Sequence, residues 1–136
     1  MTRKLVLDTN VVISGIIANG HSARILESCI NSDDLIAVVS PDILAEYREK
    51  CNQMEAISVK ARYSTIQNLK KKGELVHPEE DLHLVEDDPD DDKLFEAALE
   101  AGADYLVSGD KEHVQPIGSF REINVITPRE LVEKME

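Results

Sequence analysis

The alternation of short apolar runs with longer amphipathic stretches is the feature that most constrains how this chain can fold. Four of the runs have the length of strands and lie at 4–7, Leu35–Val39, Tyr105–Val107 and Ile123–Ile126, with a weaker fifth run at 82–85. Strands that alternate with helices along a chain form parallel sheets. The pattern therefore predicts an α/β fold with a central parallel sheet, and 136 residues are enough for one domain spanning 1–136.

The amphipathic stretches between these runs predict five helices. Apolar residues recur at helical spacing over 22–30, 58–72 and Asp92–Ala101. Two more helices carry start signals, because the Ser-Pro pair at 40–41 suits an N-cap with its first helical position, and Thr127 with Glu130 forms a capping box. Both cysteines, Cys29 and Cys51, fall at apolar helical positions, so we expect them to be buried in the core.

The net charge of −12 is concentrated in one short segment. Residues 79–92 (EEDLHLVEDDPDDD) hold nine carboxylates and no Lys or Arg, whereas the rest of the chain is close to balanced, with 15 basic and 18 acidic side chains. A sequence-independent nucleic-acid binder is expected to be basic, so the overall charge argues against that class. The acidic segment has two interpretations, a solvated loop or a source of metal-binding carboxylates.

Four carboxylates occupy positions that the predicted topology brings to one edge of the sheet. Asp8 follows the first strand and Asp110 follows the strand Tyr105–Val107, while Glu46 and Asp92 lie in the opening turns of helices. Ligand sites of open α/β sheets form at this edge. Clustered carboxylates repel one another, and hard cations such as Mg²⁺ or Mn²⁺ neutralise them and can activate water for phosphodiester cleavage. Taken singly, each acid is also an ordinary turn, cap or surface residue.

Four segments of the sequence, with their spacing, cover the chain from Lys4 to Leu131: KLVLDTNVVIS, SPDILAEY, DPDDDKLFEAALEAGADYLVSGD and VITPREL. Together they resemble the PIN domain, and more narrowly the VapC-like PIN proteins of toxin–antitoxin systems. The resemblance implies a Rossmann-like α/β/α sandwich with a central parallel sheet. It also implies a Mg²⁺- or Mn²⁺-dependent endoribonuclease that acts on RNA, has a cognate antitoxin protein as partner and forms a homodimer.

The same resemblance implies which residues form the site. The family's four acids fall on Asp8, Glu46, Asp92 and Asp110. Asp91 and Asp90 are the competitors for the third position. Asn10 and Ser108 match polar positions that line the site in the family, and Lys111, next to the fourth acid, is expected to contact a substrate phosphate or to screen the acids.

The helix predicted over 58–72 combines an apolar face with a basic face. Its expected inward side chains are Val59, Tyr63, Ile66 and Leu69. Its basic face has no acidic residues and forms a strip of Lys60, Arg62, Lys70, Lys71 and Lys72. This strip is either a contact for RNA phosphates or a solvated helix face. Because the aromatic residues of the chain are mostly at core-facing positions, we expect no platform on which RNA bases could stack.

Two other functions compete with a metal-dependent nuclease. A haloacid-dehalogenase-like phosphohydrolase also has an Asp after its first strand, but it needs a second Asp where this chain has Asn10, so the general acid is missing. A non-catalytic PIN-like interaction module remains the main alternative, because a fold does not determine a function. The absence of an 18-residue apolar run and of an N-terminal signal sequence predicts a cytoplasmic protein without a membrane partner.

Overall fold

A computed structural model describes residues 2–79, 92–110 and 114–135 of the chain. Its elements, in chain order, are β1 (Arg3–Leu7), α1 (Thr9–Ile17), α2 (His21–Asn31), β2 (Leu35–Val39), α3 (Pro41–Asn52), α4 (Val59–Lys72), β3 (Glu74–Leu75), α5 (Asp92–Ala101), β4 (Tyr105–Val107), a 3₁₀ turn (Gln115–Ile117), β5 (Ser119–Phe120), β6 (Ile123–Ile126) and α6 (Pro128–Met135). No helix in these ranges is long and apolar enough to cross a membrane. The strand predicted at 82–85 lies outside the described residues.

The sheet confirms the predicted fold class. Within the described residues it has six strands in the order β3-β2-β1-β4-β6-β5, and every neighbouring pair is parallel except the antiparallel pair β5–β6. The chain places β2 and β3 on one side of β1 and then returns to place β4 on the other side. The order of strands therefore reverses between β1 and β4, which is where α/β sheets form ligand sites.

The central strand is covered on both faces. Leu5, Val6 and Leu7 follow one another in β1, and all three are buried. Because successive side chains of a strand point to opposite faces, layers of helix must cover the sheet on each side. The helix α5 packs against β1, β2 and β4, while α2 packs against α1, α6 and β2. This is the layering of an α/β/α sandwich.

The helix starts predicted from capping residues are confirmed. The Ser40 hydroxyl accepts a hydrogen bond of 3.2 Å from the backbone N–H of Ile43 at the start of α3. At the start of α6, Thr127 Oγ1 accepts from the Glu130 N–H at 3.1 Å, and Glu130 Oε1 accepts from the Thr127 N–H at 3.0 Å. These bonds satisfy amide groups that have no partner inside their own helix.

The helix α1 is an element that the apolar pattern did not predict. Its sequence, TNVVISGII, is rich in β-branched residues, which individually favour strands. Packing overrides that preference here, since Val11 and Val12 are buried. The helix also packs closely against α2 at Gly15, where a Cβ atom would lie 2.4 Å from Leu26 Cδ1. The two-residue strands β3 and β5 also escaped prediction because they are too short to show a period.

The predicted inward face of α4 is half wrong. Val59 and Tyr63 were expected in the core, but their side chains are 73% and 70% exposed. Arg62 takes the inward position near them and donates a 2.9 Å hydrogen bond from Nε to the Ile57 carbonyl. Only the C-terminal part of the predicted face is buried, namely Ile66 and Leu69. The exposed Tyr63 ring is an exception to the expectation that the aromatic side chains are mostly at core-facing positions.

Both cysteines are buried free thiols, as predicted. Burial raises the pKa of Cys29 to about 12 and also raises the pKa of Cys51. A thiol with a raised pKa holds little of the reactive thiolate at neutral pH. Cys29 and Cys51 are therefore structural residues of the core.

Candidate active site

A chain of hydrogen bonds joins the carboxyl ends of the two central strands. Leu7 and Val107 are paired in the sheet, and the N–H of the next residue, Asp8, donates to the Val107 carbonyl at 2.9 Å. The Ser108 hydroxyl donates to Asp8 Oδ2 at 2.7 Å, and the same hydroxyl accepts from the Asp110 N–H at 3.0 Å. Ser108 thus fixes the Asp8 carboxylate and the turn that carries Asp110.

Asp8 is an acid in an unfavourable electrostatic environment. Its side chain is only 6% exposed, and burial is the main reason that its pKa is raised above the ordinary value. Hydrogen bonds from the Ser108 hydroxyl and from the Thr9 backbone oppose the shift, whereas the charges of Glu46 and Asp110 increase it. Two of the other predicted acids, Glu46 and Asp110, are therefore close enough for their charges to act on Asp8.

The carboxylate of Glu46 is held at both oxygens. Lys93, in the first turn of α5, places its Nζ 2.9 Å from Glu46 Oε1, and the Thr9 hydroxyl donates to Glu46 Oε2. Neither Thr9 nor Lys93 was singled out from the sequence. The signal available there was adjacency, since each directly follows a predicted site acid, Asp8 or Asp92.

Asp92 is a buried acid at the first position of α5. Its location agrees with the predicted placement at the N-terminus of a helix that follows the acidic segment. Asp90, Asp91 and Lys111 lie outside the described residues. Asn10, the second residue of α1, is exposed at the same end of the sheet.

Tyr47 links the helix of Glu46 to the end of β1. Its side chain is buried, and its hydroxyl donates a 2.5 Å hydrogen bond to the Leu7 carbonyl. Burial and the charges of neighbouring acids raise the Tyr47 pKa, so the hydroxyl keeps its proton as a donor. This contact positions Glu46, the preceding residue of α3, beside Asp8.

The chemistry of these groups suits a hard divalent cation with several bound waters. Among the described residues, no three His, Cys, Asp or Glu side chains form a group that could hold a metal ion. Mg²⁺ keeps several of its waters and often binds through only one or two carboxylates, so it needs no such cage. The carboxylate oxygens of Asp8 and Glu46 are hard ligands, which favour Mg²⁺ or Mn²⁺ over softer metals.

The basic residues of α4 have different surroundings from one another. Lys72 Nζ bonds Asp33 Oδ1 at 2.8 Å, and the half-buried Arg62 bonds backbone carbonyls near the end of α3. The exposed members of the strip are Lys60, Lys70, Lys71 and Lys72, of which Lys72 is held in that ion pair. A role of this strip in binding RNA stays a prediction.

Two known proteins are similar to this chain over most of its length. An uncharacterized protein of Methanocaldococcus jannaschii is 28% identical in an alignment of 151 positions, which covers 98% of this chain and 92% of the relative. A chain from the crystal structure of VapBC2 from Rickettsia felis, bound to a DNA fragment from their promoter, has a TM-score of 0.61 at 12% identity and covers 91% of this chain and 98% of its own length. At that identity the structural likeness shows the fold alone.

The match to a family model is more specific. The model described as the PIN domain matches residues 4–112, a stretch that begins in β1 and ends just beyond Asp110. It therefore includes both strand ends that meet at the reversal point and all four acids that the sequence placed there. The chain belongs to the PIN domain family.

Proposed function

We propose that the chain is a nuclease that uses Mg²⁺ or Mn²⁺ to hydrolyse the phosphodiester bonds of RNA. The observation that carries the proposal is the buried Asp8 carboxylate, which lies at the reversal point of the sheet under the charges of Glu46 and Asp110. A cation relieves such a cluster, since its positive charge offsets both the burial and the repulsion that raise the Asp8 pKa. When bound, a divalent metal supplies an activated water and stabilises charge on the departing oxygen.

The proposed roles of the side chains follow from their contacts. The proposed metal ligands are Asp8, Glu46, Asp92 and Asp110. Ser108 orients the first of these through its hydrogen bond to Oδ2. Asn10 and Lys111 are proposed to face the substrate, and the α4 strip to contact RNA phosphates further from the cleaved bond.

The proposed biological role is that of a VapC-like toxin in the cytoplasm. The structural neighbour with this fold comes from a VapBC2 complex. That likeness supports a cognate antitoxin protein as the partner of this chain, and the family resemblance supports a homodimer. Copurification with the product of an adjacent short reading frame tests the antitoxin, and sedimentation of the isolated chain tests the dimer.

Cleavage of RNA with matched variants tests the enzymatic part of the proposal. The purified chain is incubated with RNA and Mn²⁺, with and without EDTA, alongside Asp8→Asn and the control Asp34→Asn, an exposed acid at the opposite edge of the sheet. We expect EDTA-sensitive cleavage by the wild type and Asp34→Asn, and a loss of at least about 100-fold in Asp8→Asn. Cleavage by Asp8→Asn near the wild-type rate would overturn the proposal.

A non-catalytic interaction module is the second candidate function. It is favoured by the observation that no three ligating side chains of the described residues form a metal-holding group. In that case no RNA is cleaved with either metal. The antitoxin-type partner then binds wild type and Asp8→Asn equally well, because the acid has no chemical task.

A further inference from the structure

We propose that Lys93 is a built-in counter-ion of the acid site, which holds Glu46 in place without metal and competes with the divalent cation for it. The inference rests on the proposed function, because it concerns the same site. It assigns Lys93 a positioning role: the ammonium keeps the site assembled at rest and keeps its affinity for metal low.

The first support is the burial of the ion pair. Lys93 Nζ lies 2.9 Å from Glu46 Oε1, and the two side chains are only 20% and 16% exposed. The pair formed by Lys4 and Glu74 has the same length, but its side chains are 36% exposed on each side. Water and salt screen a partly buried pair less than an exposed one, so the Lys93 charge acts more strongly on its surroundings than a surface lysine does.

The second support is that the oxygens of Glu46 are already engaged. Oε1 faces the Lys93 ammonium and Oε2 accepts from the Thr9 hydroxyl. A metal that binds Glu46 directly must share an oxygen with one of these donors or displace it. The ammonium also repels any divalent ion that approaches Oε1, which lowers the affinity of the site.

The third support is the position of Lys93 in the fold. It lies in the first turn of α5 directly after Asp92, and its partner lies on α3. The ion pair therefore connects the two helices that carry the second and third acids. Without metal, repulsion among the carboxylates of the site would favour their separation, and an internal positive charge opposes it.

Removal of the Lys93 charge tests whether Lys93 lowers the metal affinity of the site or only forms a structural ion pair. The variants are Lys93→Met, Lys93→Gln as a second neutral replacement that keeps a donor, and Lys93→Arg, which keeps the charge. The matched control is Lys4→Met, which removes the lysine of the more exposed pair with the same length. Mn²⁺ affinity is measured by calorimetry and by electron paramagnetic resonance of free Mn²⁺.

We expect both neutral variants to bind Mn²⁺ at least about tenfold more tightly than the wild type, because a unit charge close to a divalent ion has been removed. Lys93→Arg and Lys4→Met should bind like the wild type. If Lys93→Met does not fold, Lys93→Gln carries the same expectation.

Two other outcomes are distinguishable. If the wild type binds Mn²⁺ and both neutral variants bind it equally or more weakly, the inference is overturned while the metal of the proposed function stands. If neither the wild type nor the neutral variants bind Mn²⁺, the metal dependence of the proposed function fails, and the inference fails with it.

Discussion

At the scale of single residues, Asp8 is the side chain on which stability and proposed chemistry conflict most. It is buried, and its pKa is raised above the ordinary value of 3.8. A raised pKa means that the folded state binds the proton more tightly than the unfolded state. The resulting stability is fully present below pH 3.8 and is lost as the pH rises through the folded pKa. At neutral pH, which is above the ordinary pKa, Asp8 therefore lowers the stability of the fold in the absence of a cation.

The substitution Asp8→Asn should consequently stabilise the metal-free protein. The amide has nearly the same shape, can still accept from the Ser108 hydroxyl and carries no charge. We expect the free energy of unfolding at pH 7, measured with urea and EDTA, to increase by about 0.5–2 kcal/mol. The gain should shrink as the pH is lowered toward 4, while Asp34→Asn shows no such gain. Equal or lower stability of Asp8→Asn at pH 7 would contradict this view of the site.

At the scale of elements, prediction succeeded where the signal was local. The bounds of β2, α5, β4 and β6 agree with the apolar runs, and the caps of α3 and α6 agree with their side chains. The helix α1 could not be predicted this way, because contact with α2 overrides its strand-like composition. In the site, the placement of Asp8 and Asp110 follows from the ends of strands. The contacts of Glu46 with Thr9 and Lys93 do not, since they join side chains far apart in the chain.

The corrected face of α4 can be tested by truncation. Ile66 is buried and Tyr63 is 70% exposed, although the helical pattern assigned both to the core. Ile66→Ala should lower the free energy of unfolding by about 2–4 kcal/mol, because it leaves a cavity. Tyr63→Ala should change it by less than about 0.5 kcal/mol. Chemical denaturation of the two variants measures these changes. A larger loss of unfolding free energy for Tyr63→Ala than for Ile66→Ala would show that the Tyr63 ring is part of the core.

At the scale of the whole molecule, the acid site contributes to a chain with a net charge of −12. Such a charge opposes the compact state through self-repulsion, and any salt relieves part of it by screening. A cation bound at the site acts differently, because it binds the folded state and stabilises it in proportion to the logarithm of its concentration. Screening by salt and binding of the cation must therefore be measured separately before stabilisation by a metal salt is attributed to binding at the site.

Thermal unfolding with matched ionic strength makes that separation. Mn²⁺ at ten times its dissociation constant should stabilise the wild type by about 1.4 kcal/mol. For a domain of this length that raises the melting temperature by roughly 3–8 °C. NaCl at the same ionic strength should raise it less, and Asp8→Asn should lose most of the difference between the two salts, because one proposed ligand is gone. If NaCl and Mn²⁺ act alike on the wild type, the stabilisation is screening of the acidic chain and no metal is bound at the strand ends.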